Sequence, residues 1–279
     1  MLNSHRPESR NMISCEEDTP TQREESSAAR SSNRSLSNDV SVSCVYKLFS
    51  KDGSSGEISY GSMSVIEREA KGNKCYVFDD GKMARQSKLN LEIVELDESI
   101  GYGHCVWPAS IALSIWIRYF AQNEVIAGAH VLELGCGIGL PSFVLGSLQS
   151  PPLSIHATDM SSVVVEHFCS NASRNRDVLR SPVTARVLNW DDSIAPENME
   201  HDEEQYDFIT GADLVYNPAH AKTLVAAVNQ YLSPSGTFLL MNFPERRRRG
   251  MDSFVQELKK HGSVSEVKYK LWESSQGLE

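Results

Sequence analysis

A strand-like run that passes directly into a glycine-rich loop constrains this chain more than any other feature. Residues 131–142 read VLELGCGIGLPS, with apolar strand residues first, glycines at 135, 137 and 139, and then residues suited to begin a helix. Glycine lets the backbone turn tightly and approach a ligand closely, and the helix N-terminus presents free N–H groups. Such a loop is typical of the carboxyl end of a strand in a parallel α/β sheet.

Strand and helix patterns alternate from residue 101 onward. Strands are expected at 130–134, 154–159, 184–190, 206–216, 236–243 and 264–272, and helices at 110–121, 161–175, 218–232 and 252–262. Ser161 is expected to cap one helix, and Asn217 with Pro218 to begin another. The alternation predicts a Rossmann-like, doubly wound, mostly parallel α/β sheet with helices on both faces.

The N-terminal part of the chain has a different composition. Residues 1–43 are rich in Ser, Glu, Arg and Asn and contain no aromatic residue, so we expect a disordered tail. Residues 44–100 form short alternating runs separated by turns such as KDGSSG and KGNK, which predict a small antiparallel β-rich extension. The main domain is then expected at 101–279.

Composition narrows the range of partners and locations. The chain has 27 Lys+Arg and 37 Asp+Glu, a net charge of −10, which disfavours nucleic-acid binding by bulk electrostatics. It has no apolar run of ~18 residues and no apolar stretch of a secretory signal near Met1, so we expect no membrane span and a cytoplasmic or nuclear location. Six scattered cysteines read as free thiols, and no histidine or cysteine spacing predicts a metal. The basic run at 246–249 could bind an acidic protein surface or RNA, or it could be a solvent-exposed loop.

Asp159 and Glu133 give the glycine loop its chemistry. Asp159 ends the next strand, 20 residues after Gly139, where a carboxylate can accept hydrogen bonds from both hydroxyls of a ribose. The third glycine comes one residue too early for the dinucleotide pattern GxGxxG, and Glu133 before the loop would repel a pyrophosphate. A carboxylate there suits a cationic amino group, as in a methionine moiety. The pattern resembles the E-x-G-x-G-x-G loop of S-adenosylmethionine-dependent methyltransferases, and a nicotinamide-dependent oxidoreductase is disfavoured.

Several further motifs follow in a fixed order and narrow the resemblance. They are GYGHCVWPASIALSIWI, LELGCGIGLPS, ATDM, LNWDD, GADLVY and ERRRRGMDSFVQEL. Over about residues 88–270 the chain resembles the seven-strand, non-SET protein lysine methyltransferases with an Asp-x-x-Tyr motif after the fourth strand. That family ends with two antiparallel strands after its last helix, whereas here only 264–272 reads as a strand and SSQGLE is a weak candidate.

The resemblance implies a set of site residues. The implied catalytic pair is Asp213 and Tyr216, and the implied cofactor-binding residues are Trp107, Glu133, Gly135, Cys136, Gly137, Asp159, Met160, Trp190 and Ala212. Several of these assignments have a structural alternative. Trp107 also suits the start of a buried helix, Trp190 a surface strand end, and Asp213 and Tyr216 a helix cap and a core position.

The implied activity is methyl transfer from S-adenosylmethionine to a lysine of a protein substrate by a monomeric enzyme. In this reading Asp213 orients the amine, and Tyr216 offers an aromatic face to the cation. A protein histidine, a small amine or a nucleic-acid base remain alternative acceptors, as does a protein that binds the cofactor without catalysis. Base methylation predicts N/D-P-P followed by an aromatic residue, and the chain instead has DLVYNP at 213–218.

Overall fold

The computed structural model describes residues 43–50, 64–70, 73–79, 88–120, 126–191, 204–242 and 250–270. The predictions for the Ser-rich tail before residue 43, for the basic run at 246–249 and for SSQGLE lie outside these ranges.

The described ranges contain strands in two sheets and five α-helices. The strands are β1 Ser43–Ser50, β2 Ser64–Ala70, β3 Asn73–Asp79, β4 Leu89–Ile93, β5 His130–Leu134, β6 Ser154–Asp159, β7 Val183–Val187, β8 Tyr206–Ala212, β9 Leu232–Asn242 and β10 Ser263–Lys270. The helices are α1 Pro108–Phe120, α2 Leu140–Gly146, α3 Ser162–Arg174, α4 Ala221–Tyr231 and α5 Met251–Leu258.

The large sheet confirms the predicted mostly parallel architecture. Its strand order is β10-β1-β9-β8-β5-β6-β7, and the five strands β5 to β9 pair in parallel with one another. The order reverses at β5, because β6 and β7 lie on one side of it and β8 and β9 on the other. In such sheets the crevice at this reversal, outside the carboxyl ends of the strands, is where ligands bind.

One N-terminal strand has a different place from the expected one. The sequence assigns the segment around Ser43–Ser50 to the small antiparallel extension, but β1 lies in the large sheet and pairs antiparallel with both β9 and β10. The small antiparallel sheet therefore consists of β2, β3 and β4.

Apolar side chains cover both faces of the large sheet. Helices α1, α2 and α3 pack on one face together with β3 and β4, around buried residues such as Trp116, Phe143 and Phe168. Helices α4 and α5 pack on the other face around Tyr231, Phe238 and Phe254. Burial on both faces explains why the parallel strands read as nearly continuous apolar runs.

Two strands end earlier than the sequence predicts, and one begins earlier. Strand β7 stops at Val187 because the chain turns after Leu188, whose N–H donates to Asp159 O at 2.9 Å. Strand β8 stops at Ala212 because the next residue, Asp213, has φ +56°, which an extended strand cannot contain. Strand β9 begins at Leu232 and includes SPSG, which reads as a turn in the sequence.

Candidate active site

The glycine loop after β5 has the strained geometry that its composition predicts. Gly135, Gly137 and Gly139 all have positive φ, at +59°, +52° and +99°. A Cβ on Gly135 would lie 2.6 Å from the Cδ2 atom of Leu214. The backbone therefore turns sharply beneath a cavity and comes close to whatever occupies it.

Asp159 lies where the sequence predicts, at the end of β6 beside this loop. Its carboxylate accepts from the N–H of Gly137 at 3.2 Å and from the N–H of Ser161 at 3.1 Å. Burial raises the pKa of Asp159, and these backbone N–H groups act in the opposite direction. An ionised carboxylate offers about four lone-pair positions, so Asp159 keeps acceptor capacity for a ribose hydroxyl besides these backbone bonds.

Glu133 lies outside the lining of the cavity. It is 1% exposed and lies behind the loop, where the Ser142 hydroxyl donates to its carboxyl group. Desolvation raises the pKa of Glu133 to about 8, with the nearby Asp159 adding to the rise. Glu133 is therefore bonded to Ser142 of helix α2 in the structure. A contact between Glu133 and the amino group of a cofactor stays a prediction.

Cys136 lines the cavity at the tip of the loop but is buried. Its N–H donates to Thr158 O at 2.8 Å, which ties the loop to β6. Burial, together with the charges of Asp159 and Glu133, raises the pKa of the thiol. The side chain therefore stays a neutral thiol and serves as an apolar wall.

The segment after β8 brings Asp213 and Tyr216 to the cavity. Asp213 is buried, and its N–H donates to Met241 O at 2.8 Å, although its φ of +56° is uncommon for any residue except glycine. The buried Asn242 holds the same segment, since its Oδ1 accepts from Val215 N at 3.2 Å and its Nδ2 donates to Val215 O at 3.3 Å. A strained backbone held so firmly is typical of functional sites.

Sequence reasoning missed Asn242. The only signal was a polar residue at the end of the apolar run LLMN, which becomes interpretable once β8 and β9 are known to be neighbours.

Five aromatic rings border the cavity in a continuous series, which we call the aromatic arc: Trp107, Tyr102, Tyr216, His220 and Trp190. Successive ring centroids are 6.5, 5.1, 5.9 and 6.5 Å apart. The Trp107 indole N–H also donates to Tyr102 O at 2.6 Å. Trp107 and Trp190 therefore face the cavity, while Tyr102 and His220 join the site without having been predicted.

The cavity, of about 550 Å³, brings together all the predicted site residues except Glu133. Its lining includes Met160, which is 70% exposed, and Ala212 at the end of β8. The charged residues in the described lining are Asp159, Asp191 and Asp213, with no Lys or Arg among them. A cavity of this volume and charge suits a nucleoside that carries positive charge.

The described ranges offer neither a metal site nor a membrane-spanning helix. Within them no three or more His, Cys, Asp or Glu side chains lie together in a way that would hold a metal ion. None of the helices described combines the length and apolar character that crossing a membrane requires.

The fold and the cavity together define the class of Rossmann-like, S-adenosylmethionine-dependent methyltransferases. The crevice at the strand-order reversal, the glycine loop and Asp159 are the features that carry this assignment. The family is also identified from the sequence. Residues 85–261 match the family model described as "Lysine methyltransferase", and the chain belongs to this family of non-SET protein-lysine N-methyltransferases.

Curated relatives agree with the family assignment. The chain is 28% identical over 182 residues to "Protein N-lysine methyltransferase METTL21A" of Xenopus tropicalis, covering 64% of this chain and 78% of the relative. It is 31% identical over 163 residues to "EEF1A lysine methyltransferase 3" of Mus musculus, covering 57% of this chain and 63% of the relative. Among solved structures, Aeropyrum pernix fibrillarin with bound S-adenosyl-L-methionine aligns with a TM-score of 0.41 at 14% identity, over 71% of this chain and 89% of that one.

The cofactor of this enzyme is S-adenosylmethionine, and the residues present fit it. The cavity is large enough for a nucleoside, the glycine loop has no Cβ to obstruct it, and Asp159 retains acceptor capacity where a ribose would lie. The acidic lining suits a molecule that is positively charged at sulfur.

Proposed function

We propose that this enzyme methylates the side-chain amine of a lysine in a protein substrate. The reaction would take place at the edge of the cavity where Asp213 and Tyr216 lie. The observation that carries the proposal is the placement of Asp213. Asp213 lines a cavity whose described residues include three acidic and no Lys or Arg side chains, and its backbone is held in a left-handed conformation.

The cofactor-facing residues are proposed to contact different parts of S-adenosylmethionine. Asp159 is proposed to accept the ribose hydroxyls, Met160 and Trp190 to flank the adenine, and Trp107 to pack on the methionine end. Gly135 and Gly137 let the backbone approach, with Cys136 and Ala212 completing the wall. When bound, S-adenosylmethionine supplies a methyl group on a positively charged sulfur.

The acceptor side depends on alignment and on charge. Methyl transfer to an amine is an in-line displacement, so holding the nitrogen at the right distance and angle is the main contribution a protein makes. A free lysine, with a pKa of about 10.4, must lose a proton before its nitrogen can form the new N–C bond, and water accepts that proton in this proposal. The bond between the methyl carbon and sulfur would break as the N–C bond forms, and the sulfur would leave as a neutral thioether. Asp213 orients the amine and stabilises the methylated ammonium, and the Tyr216 ring adds roughly 0.5–2 kcal/mol of cation–π attraction.

The test of this assignment is Asp213→Asn. Asparagine tolerates positive φ as well as aspartate does, so this variant removes the charge without the backbone strain that alanine would introduce. We expect kcat to fall by at least about tenfold while the Kd for S-adenosylmethionine, measured by calorimetry, changes little. Unchanged turnover in Asp213→Asn would remove Asp213 from the catalytic machinery.

The substrate class is tested with labelled S-adenosylmethionine. We propose a protein partner, a monomeric enzyme and a cytoplasmic location, with the nucleus as second choice; the absence of basic residues in the described lining supports a cationic acceptor over a nucleic acid. Because one relative is named for lysine methylation of EEF1A, purified EEF1A is the first probe, followed by a cell lysate.

Methyl-lysine in a protease-sensitive product supports the proposal. Methylhistidine or nuclease-sensitive label would favour the alternative acceptors, and cofactor binding without any label would indicate an inactive binding protein.

A further inference from the structure

A short closed loop, residues 97–104, forms one lip of the cavity. The N–H of Leu96 donates to His104 O at 2.8 Å and closes its base. Inside the loop, Asp97 Oδ1 accepts from Ser99 N at 2.9 Å, and Gly101 has φ +102°. These bonds and the left-handed turn make the loop a defined surface on the protein rather than an open connection.

The loop also packs against its neighbours. An ideal Cβ placed on Gly103 would lie 2.9 Å from a Val164 methyl, so loop and α3 are in close contact. The carbonyl of Tyr102 accepts the Trp107 indole N–H, which fixes the backbone next to the cofactor-facing tryptophan. The backbone at Tyr102 is therefore held by contacts that do not depend on the tyrosine ring.

Two large apolar side chains on this loop are turned toward solvent. Ile100 is 40% exposed and Tyr102 is 70% exposed, and both line the cavity. The Tyr102 ring lies 5.1 Å from the Tyr216 ring, centroid to centroid, at the edge where the acceptor lysine is proposed to enter. Apolar side chains that are exposed side by side and rimmed by polar residues are typical of interaction sites.

The acidic residues around this loop favour a partner with a basic segment. Asp97 and Glu98 are exposed on the same loop, and Asp191 and Asp213 lie in the cavity lining, which contains no Lys or Arg among its described residues. A basic segment is attracted to this surface and an acidic one is repelled.

We propose that loop 97–104 is a substrate-docking surface for an exposed, basic protein segment in which an apolar residue neighbours the target lysine. The apolar neighbour packs on Ile100 and Tyr102, while the lysine side chain passes the Tyr102–Tyr216 pair to reach Asp213. This inference rests on the proposed lysine methylation and adds a sequence preference to it.

The test compares exposed apolar side chains at the cavity with exposed apolar side chains elsewhere. Ile100→Ser and Tyr102→Ser remove the docking surface but keep the carbonyl that holds Trp107. Leu153→Ser and Val187→Ser are matched controls, since these residues are 58% and 47% exposed and do not line the cavity. The probes are short peptides with one central lysine flanked by Leu, Ser or Glu, used alongside purified EEF1A and total lysate protein.

The wild-type enzyme is expected to prefer Leu-flanked over Glu-flanked peptides. Each docking variant should raise KM for the Leu-flanked peptide roughly tenfold. In Ile100→Ser, whose side chain does not belong to the aromatic arc, kcat and the Kd of S-adenosylmethionine should stay nearly unchanged. The control variants should stay within about twofold of the wild type. If only the proteins are labelled, the same comparison is made on their initial rates at limiting substrate concentration.

The two proposals fail differently. Docking variants that behave like the controls, or a wild type indifferent to the flanking residue, overturn the docking inference and leave lysine methylation standing. Absence of label in every probe despite measurable cofactor binding overturns the proposed function and the docking inference with it.

Discussion

Gly135 and Asp213 line the same cavity, and both have left-handed backbone conformations. The steric cost of this conformation differs between the two residues. Gly135 has no Cβ and adopts φ +59° without steric cost. Asp213 carries its side chain at φ +56° and is held there by the bond to Met241 O. The shape of the site therefore depends on conformations that most side chains disfavour, which makes both positions sensitive to substitution.

Gly135→Ala should weaken cofactor binding in addition to weakening the fold. The new methyl would meet Leu214 at 2.6 Å, and shifting Leu214 disturbs the segment that carries Asp213. Gly128→Ala is the control, since Gly128 also has positive φ, +74°, but its Cβ would meet nothing within 4 Å. We expect both variants to lose about 1–2 kcal/mol in urea unfolding and only Gly135→Ala to lose at least about tenfold in Kd for S-adenosylmethionine. Equal affinities in the two variants would contradict this role for Gly135.

The buried Glu133 predicts a specific pH dependence of stability. Its pKa is about 8 in the folded protein against an ordinary 4.5, so the folded state holds the proton more tightly and loses stability as the pH rises through that window. A glutamine side chain at this position cannot titrate. In the Glu133→Gln variant, the stability relative to wild type should therefore increase from pH 5 to pH 8, with a slope on the order of 1 kcal/mol per pH unit. Urea unfolding of both proteins across this range measures the slope, and a pH-independent difference would refute the burial argument.

Helix α3 is the element that connects the small sheet, the glycine loop and the main domain. Asn171 accepts from Val94 N at 3.0 Å and donates to Val94 O at 3.1 Å and Ile138 O at 3.2 Å. Asn175, one turn later, exchanges equivalent bonds with the backbone of Glu92 at 2.9 and 2.8 Å. The two side chains bond to the backbone N–H and C=O groups of Glu92 and Val94, as the backbone of a neighbouring strand would.

Asn171→Ala should leave backbone groups of Val94 and Ile138 short of partners in a buried region. We expect a loss of about 2–3 kcal/mol in stability, because buried groups without hydrogen-bond partners bear their full desolvation cost. Ser173→Ala on the exposed side of the same helix is the control and should lie within about 0.5 kcal/mol of the wild type. Urea unfolding measures both, and similar values for the two variants would show that the Asn171 bonds contribute little.

At the scale of the whole molecule, the large sheet includes β1, the first strand of the described chain. Strand β1 separates β9 from β10 and pairs with both, so β10 reaches the sheet only through β1. The family resemblance leads one to expect a second antiparallel strand after the last helix. Among the described residues, β1 is the antiparallel strand at this side of the sheet.

Lys47→Pro tests this arrangement. Lys47 lies opposite both Leu240 and Glu266, and proline removes the N–H that an interior strand needs for its ladder of hydrogen bonds. We expect faster amide exchange throughout β10 and along the β9 edge, while β5 and β6 stay protected. Lys47→Thr keeps the N–H and should exchange like the wild type. Protection of β10 that survives the proline would be incompatible with the pairing.

Local patterns determined much of the fold and of the cofactor site. The strands at 130–134 and 154–159, the loop of positive-φ glycines, the Ser161 cap and the Asn217 cap all follow from a few neighbouring residues and occur as expected. Their chemistry is local, because apolar runs, missing Cβ atoms and capping side chains act within a few positions of the chain. The sequence by itself therefore determined that this chain makes a glycine-loop α/β sheet with a nucleoside site.

Tertiary structure alone decided the features that join distant segments. The pairing of β1 between β9 and β10, the bonds of Asn242 to Val215, and the meeting of Tyr102 with Tyr216 each connect residues far apart in the chain. The burial of Glu133 behind the loop also depends on what packs around it. Such contacts follow from strand order and side-chain packing, which no run of neighbouring residues specifies.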